Sequence, residues 1–244
     1  MLVQVVDDAE AVGRRSADSV ERVLQGGLHA GAPRIALPTG RTAVPLYEEL
    51  ARRRRAGRFD LGETRVFNLD ELLLPAPPPG APPPGSFAEF MHRHVLSPLG
   101  LRLEHWEIPR VTGDPEQECR RYDRALAEEG PLDLAVLGIG ADGHVAYNLA
   151  GAVSEHTHVV AVPDEVAATL GLPASMLPLR AITIGLAPLR AARRLLLMAS
   201  GGEKAEAVRA LVLGREDERW PASLLRRHPR FEVVVDRAAA SGLR

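Results

Sequence analysis

Four short stretches of this 244-residue chain concentrate the side chains able to hold an anion or move a proton. In Leu37-Pro38-Thr39-Gly40-Arg41-Thr42 an apolar run passes through a glycine and two hydroxyls into an amphipathic segment. A strand–turn–helix junction of this kind aims free backbone N–H groups and the positive end of a helix at one point, and glycine lets an anion come close. Thr39, Gly40, Arg41 and Thr42 are therefore a candidate phosphate cradle, with Arg41 adding a charged fork. The same residues also fit an ordinary helix start capped by Thr42. In the second stretch, Thr64 to Leu74, an apolar run ends in Asn68, Asp70 and Glu71. Ligands of open α/β sheets bind beyond the carboxyl ends of the strands, and a partly buried carboxylate with a raised pKa suits proton abstraction beside a carbonyl. The alternative is that Asp70 and Glu71 cap or flank a helix.

The third stretch, Gly138-Ile139-Gly140-Ala141-Asp142-Gly143-His144, follows a wholly apolar run. Its glycines look like a dinucleotide fingerprint, but Asp142 and His144 stand where the closing helix should pack, and no clear acidic partner follows about twenty residues on, so a nicotinamide cofactor is rejected. An aspartate two residues before a histidine on a glycine turn fixes the imidazole tautomer and leaves the other ring nitrogen free for acid–base work. Metal ligation by Asp70, Asp142 and His144 lacks a supporting His or Cys spacing. His156-Thr157-His158 alternates as a strand does, so no metal and no other cofactor is expected. The fourth stretch, Ser200-Gly201-Gly202-Glu203-Lys204, holds the only lysine among thirty basic residues. A cation in a first helical turn opposes the helix dipole unless an anion shares the site. The only two asparagines are Asn68, in the second stretch, and Asn148, which closes the Val145-Ala146-Tyr147-Asn148 continuation of the third.

Elements able to position them alternate along the chain. Apolar runs predict strands at 34–37, 64–68, 132–138, 158–162, 181–185, 195–199 and 232–235. Amphipathic segments predict helices at about 9–24, 43–54, 87–96, 115–128, 203–213 and 221–226. The order implies one α/β domain over residues 1–244, an open and mainly parallel sheet with helices on both faces, of Rossmann-like type. Leu74 to Gly85 is too rich in proline for helix or central strand, so it is an irregular loop, either a spacer or the wall or lid of a pocket.

Composition narrows the functional class. Net charge is −2, with arginines interspersed among acids, which excludes a nucleic-acid footprint; Arg52 to Arg55 read as the solvated end of a helix. The single Cys119 cannot form an internal disulfide, and no apolar stretch has membrane-spanning length. With no signal-peptide pattern at the start, a soluble cytoplasmic protein is expected.

Taken together and in this order, LPTGRT, FNLDE, GIGADGHVAYN and SGGEKAEAV closely resemble the glucosamine-6-phosphate deaminase/isomerase family, and more distantly the 6-phosphogluconolactonases. The likeness spans most of the chain. It implies that Asp70 moves a proton between C2 and C1 of a sugar 6-phosphate, and that His144, oriented by Asp142, promotes ring opening. It further implies that Thr39 to Thr42 and Lys204 hold the phosphate, with Glu71 and Gly140 lining the same site. The sequence departs from the family at Leu149, where a glutamate usually completes the histidine's relay, and at Leu170, where a phosphate-binding arginine is usual; Arg41 is the candidate substitute. The implied reaction converts glucosamine 6-phosphate to fructose 6-phosphate and ammonia without a cofactor. The alternatives are a lactonase, another sugar-phosphate isomerase, or a non-catalytic sugar-phosphate sensor. The partner is a small sugar phosphate, with no nucleic acid and no membrane, and the chain is expected to be a monomer or homodimer.

Overall fold

The computed structural model describes residues 1–26, 31–74, 82–173 and 176–243. Seven parallel strands lie in the order β1 (Leu2–Val6), β10 (Phe231–Asp236), β9 (Leu195–Ala199), β6 (Leu134–Leu137), β2 (Arg34–Leu37), β3 (Arg65–Asn68) and β5 (Trp106–Glu107). The chain winds outward from β2 to β3 and β5, then returns to place β6 on the other side of β2. That reversal opens a crevice at the carboxyl ends of the central strands. The helices are α1 (Ala9–Gly26), α2 (Val44–Arg55), α3 (Phe87–Met91), α4 (Ser97–Leu99), α5 (Pro115–Glu129), α6 (Asp164–Thr169), α7 (Leu186–Ala191) and α8 (Ala205–Leu213).

Both faces of the sheet are covered because successive strand residues point to opposite sides. Ile35, Leu37, Leu134, Val136, Leu196 and Met198 pack with Val12, Val20, Leu46 and Leu50 of α1 and α2. Ala36, Ala135, Leu137, Leu195 and Leu197 pack with Tyr122, Leu186, Leu189, Val208 and Leu211 of α5, α7 and α8. Each fully buried aliphatic side chain contributes about 1.5–3 kcal/mol, so the layers fix the strand ends firmly.

The structure corrects several expectations. The segments expected as strands at 158–162 and 181–185 leave the parallel sheet: β7 (His158–Ala161) and β8 (Arg180–Thr183) join β4 (Asp70–Leu72) in an antiparallel sheet of order β4-β8-β7. Only Leu69 separates the end of β3 from the start of β4, so Asp70 and Glu71, expected to follow a strand, lie on a strand of their own. Asp-Glu-Leu has no apolar alternation to announce it. β1 and β5 were also not expected; β1 pairs at the sheet edge with residues from the far end of the chain, and β5 is two residues long. Helices α6 and α7 were missed as well, α7 because Pro188 interrupts its pattern.

The expected helix at 87–96 is α3 followed by a π-helical turn, His92–Leu96, in which Ser97 N–H bonds back to His92 O. Pro98, which has no N–H to offer, follows directly. Residues Pro221–Leu225 form a 3-10 turn rather than an α-helix. Arg53 is not solvated: it is 5% exposed and ion-paired with Glu49, Glu21 and Asp18 between α1 and α2. Of the proline-rich segment at 74–85, residues 75–81 lie outside the described residues; Leu74 is buried in a third apolar cluster beside β4. Among the described residues no helix is long and apolar enough to cross a membrane.

Candidate active site

All four chemically suggestive stretches emerge from the carboxyl ends of four neighbouring strands, in the spatial order β9, β6, β2, β3. Sheet order alone thus brings Lys204, the Asp142–His144 turn, the Thr39–Thr42 turn and Asp70 to one crevice.

Two of these turns share one backbone design. Gly40, at φ +101°, leads from β2 into a 3-10 turn, Arg41–Ala43, that runs into α2; Gly201, at φ +96°, leads from β9 into a 3-10 turn, Gly202–Lys204, that runs into α8. Positive φ favours glycine at both points. The first N–H groups of such a turn have no partner inside it, so both turns present donors to an anion. Thr42 makes no capping hydrogen bond; Gly40 holds the capping position and only closes the turn through Ala43 N–H to Gly40 O, 3.1 Å. Thr39 and Thr42 are half-buried beside exposed Arg41. Burial holds the Lys204 ammonium below its ordinary pKa, with the carboxylates of Glu203 and Asp142 pulling the other way and the Arg41 guanidinium adding to the depression. Arg41 and Lys204, on separate turns, are thus near enough to feel one another's charge and that of Asp142, and a phosphate bound between the turns would offset the repulsion of the two cations.

The Gly138–His144 turn is held by Gly143 N–H to Gly140 O and Gly140 N–H to His144 O, both 3.0 Å. Asp142 Oδ1 lies 2.7 Å from His144 Nδ1, off the ideal line of a hydrogen bond, and also accepts His144 N–H at 3.3 Å. Burial pushes the Asp142 carboxyl up, but the His144 side chain and backbone outweigh it and leave it below the ordinary value. Gly140 is what permits this closeness, since a Cβ there would fall inside contact distance of Asp142 Oδ1 and of His144 Nδ1. Gly143, at φ +81°, abuts the Trp220 ring, where a Cβ would come within 2.7 Å of Cε3.

Asp70 is 5% exposed; burial, with the charge of Glu71 adding to it, pushes its carboxyl up to about 8. Glu71 is buried too, and its carboxylate accepts three backbone N–H groups, from Leu72 at 2.7 Å, Phe87 at 2.9 Å and Ala88 at 2.7 Å. Burial raises Glu71 to about 7 against those three donors. Donors that favour the charged form make Glu71 the ionised member of the pair, leaving Asp70 to hold the proton near neutrality. Glu71 thus caps α3, the helix-capping alternative, and tunes Asp70 from the side, while Asp70 stays free of such duty. Replacing Glu71 by Gln is expected to lower the pKa of Asp70, because a negative neighbour is lost. The acid limb of a kcat/KM–pH profile should shift to lower pH by about one unit; an unmoved limb would refute the coupling.

Both asparagines are buried and hydrogen-bonded through their side chains, and the Nδ2 group of Asn68 is left without a partner. Asn68 accepts a hydrogen bond from Trp106 Nε1 at 2.8 Å, and Asn148 donates to Val145 O and Ile184 O. Leu149 and Leu170 pack on the third apolar cluster, so neither position brings charge to the crevice. Sequence reading missed Tyr147, which stacks on His144 at 5.8 Å between centroids, and Phe87, which stacks on Tyr147 at 5.9 Å. The signal available was only an aromatic three residues after the histidine. Two surface clefts, of about 480 Å³ beside Arg215 and Arg227 and about 300 Å³ beside Glu48 and His94, contain none of the site residues. Among the described residues no group of three or more His, Cys, Asp or Glu side chains is placed to hold a metal ion.

Residues 7–235 match the family of glucosamine-6-phosphate isomerases and 6-phosphogluconolactonases. The chain belongs to that family. Within it, the chain is 37% identical over 215 residues to glucosamine-6-phosphate deaminase 2 of Giardia intestinalis, covering 85% of this chain and 80% of that one. It is 35% identical over 247 residues to the glucosamine-6-phosphate deaminase of Hahella chejuensis, covering 100% of this chain and 92% of that one. A solved structure described as a monomeric glucosamine-6-phosphate deaminase superposes with a TM-score of 0.89 at 29% identity, over 99% of this chain and 100% of that one. The 6-phosphogluconolactonase from Trypanosoma cruzi, with a TM-score of 0.80 at 17% identity over 99% of this chain and 96% of that one, shares the fold.

Proposed function

We propose that this chain deaminates glucosamine 6-phosphate, giving fructose 6-phosphate and ammonia. The observation that carries the reading is Asp70: a buried carboxyl poised near neutral pH, beyond β3 of the same crevice that holds the paired cations. A phosphate sensor needs the cations but has no use for such a group, and a lactonase needs only an activated water.

The substrate phosphate sits between the Gly40 and Gly201 turns, contacting backbone N–H groups, the hydroxyls of Thr39 and Thr42, and the cations of Arg41 and Lys204. His144, with Nδ1 facing Asp142, presents Nε2 to the ring oxygen and anomeric hydroxyl and exchanges the protons of ring opening. In the open aldehyde, ionised Asp70 removes the C2 proton as O1 takes up a proton, giving the enolamine; the same carboxyl then returns its proton at C1 while the nitrogen releases one and C2=N forms. The resulting C2 imine takes up water, and ammonia leaves with the C2–N electron pair, so the net reaction is hydrolytic. No cofactor enters any of these steps. A monomer or homodimer acting in the cytoplasm fits this metabolic role.

The test is release of ammonia and fructose 6-phosphate from glucosamine 6-phosphate, with 6-phosphogluconolactone as the competing substrate. Ammonia release by native protein supports the reading; lactone hydrolysis without it overturns the reading. Lys204→Met is expected to raise KM roughly 30-fold, to weaken inhibition by inorganic phosphate in parallel, and to change kcat little, because it removes one charge-assisted contact made equally before and during the reaction.

A further inference from the structure

The imidazole of His144 is only 21% exposed, yet its Nδ1 contact with Asp142 is poorly aligned for a hydrogen bond. One short, off-line contact does not fix the plane of a ring that can turn about χ2. What meets its face is Tyr147, nearly parallel at an interplanar angle of 14°, and Phe87 lies against Tyr147 at the same 14°. The backbone that delivers Tyr147 is strained. Residues Val145 to Asn148 form a turn closed by Asn148 N–H to Val145 O at 3.0 Å, in which Ala146 takes φ +50°. The left-handed region costs a residue with a Cβ about 1–2 kcal/mol. Tyr147 N–H is then tied to Thr183 Oγ1 at 2.9 Å, opposite Asp70 in the β4–β8 pairing. The turn is thus anchored to the strand pair that carries the proposed base.

We propose that Tyr147 is a positioning residue, whose ring, held from behind by Phe87, sets the plane of the His144 imidazole for ring opening. The proposal rests on the role given to His144 above. It is the aromatic face that acts, so the hydroxyl is dispensable. Phe87 is the first residue of α3, which the Glu71 carboxylate caps, so the stack also ties the imidazole to the element that follows the proline-rich segment.

The experiment compares steady-state deamination of glucosamine 6-phosphate by native protein, Tyr147→Leu, Tyr147→Phe and Phe87→Leu, with inhibition by inorganic phosphate as the measure of an intact binding site. Tyr147→Leu is expected to lower kcat roughly 10–100-fold, as a misplaced acid–base group does, with KM and phosphate inhibition held within about threefold. Tyr147→Phe is expected to restore most of the loss. A loosened site would instead move KM and phosphate inhibition together. Unchanged kcat in Tyr147→Leu overturns the proposal while leaving the deaminase reading intact; so does a loss in Tyr147→Phe equal to that in Tyr147→Leu, which would assign the effect to the hydroxyl. Should Tyr147→Leu not fold, Phe87→Leu decides, with a smaller fall in kcat at constant KM expected and no fall overturning the proposal. No ammonia release by the native protein overturns the deaminase reading and this proposal with it.

Discussion

Asp70→Asn is expected to lower kcat for deamination roughly 10³-fold, within the range for loss of a general base, and at the same time to make the protein more stable. An amide of the same shape cannot take the C2 proton, whereas Gly140, Asp142, His144 and Lys204 would stay in place. The stability gain follows from linkage. Asp70 has an ordinary pKa of 3.8 when unfolded and is raised to about 8 when folded, so between those values the folded chain holds a proton that the unfolded chain has released. Stability from this group is therefore fully present below about pH 4 and is lost as pH rises through about 8. Asparagine carries no such loss. The melting temperature of Asp70→Asn should match native at pH 4 and exceed it at pH 8 by roughly 4–8 °C, for a gain on the order of 2 kcal/mol. Scanning calorimetry at both pH values checks this, and equal melting temperatures at pH 8 would show that Asp70 ionises freely in the folded protein.

Gly140→Ala is expected to be the converse case, a loss of turnover on the order of 10²-fold with little change in melting temperature. The backbone at Gly140 is not left-handed, so alanine meets no conformational barrier there. What its Cβ meets are the ends of two side chains, Asp142 Oδ1 and the His144 ring. Such ends swing aside at small cost to the fold, but in doing so they break the arrangement that leaves His144 Nε2 facing the substrate. Steady-state kinetics beside a thermal melt separates the two effects. Retained kcat would mean that the closeness of Asp142 to His144 is incidental to catalysis.

Much of the site was legible in the sequence because the chemistry is local. A strand, a glycine and a following helical turn leave backbone N–H groups free for an anion, and both the Thr39–Thr42 turn and the Gly201–Lys204 turn have that form. Asp142 and His144 are two residues apart, so their pairing is set by the turn itself. The parallel sheet followed from short apolar runs alternating with amphipathic helices, which can bury both faces in few other ways.

Sequence periodicity could not separate β7 and β8 from the main sheet, since a strand's pattern reports which faces are buried and says nothing of its partner. The division of labour between Asp70 and Glu71 was equally hidden. The two acids are adjacent and chemically alike, and only the arrival of Phe87 and Ala88 N–H groups from α3 commits Glu71 to a charged, capping role. Arg53 sits in a run of four arginines, yet it alone is drawn inward by Glu21, supplied by a helix more than thirty residues earlier. The Phe87–Tyr147–His144 stack likewise joins α3 to the turn after β6. The candidate anion-binding turns and proton-moving side chains could be read along the chain, because both depend on near neighbours in sequence. Which carboxyl keeps its proton, which arginine is buried and which ring steadies the histidine were decided by the tertiary structure, because desolvation and packing are set by groups distant in sequence.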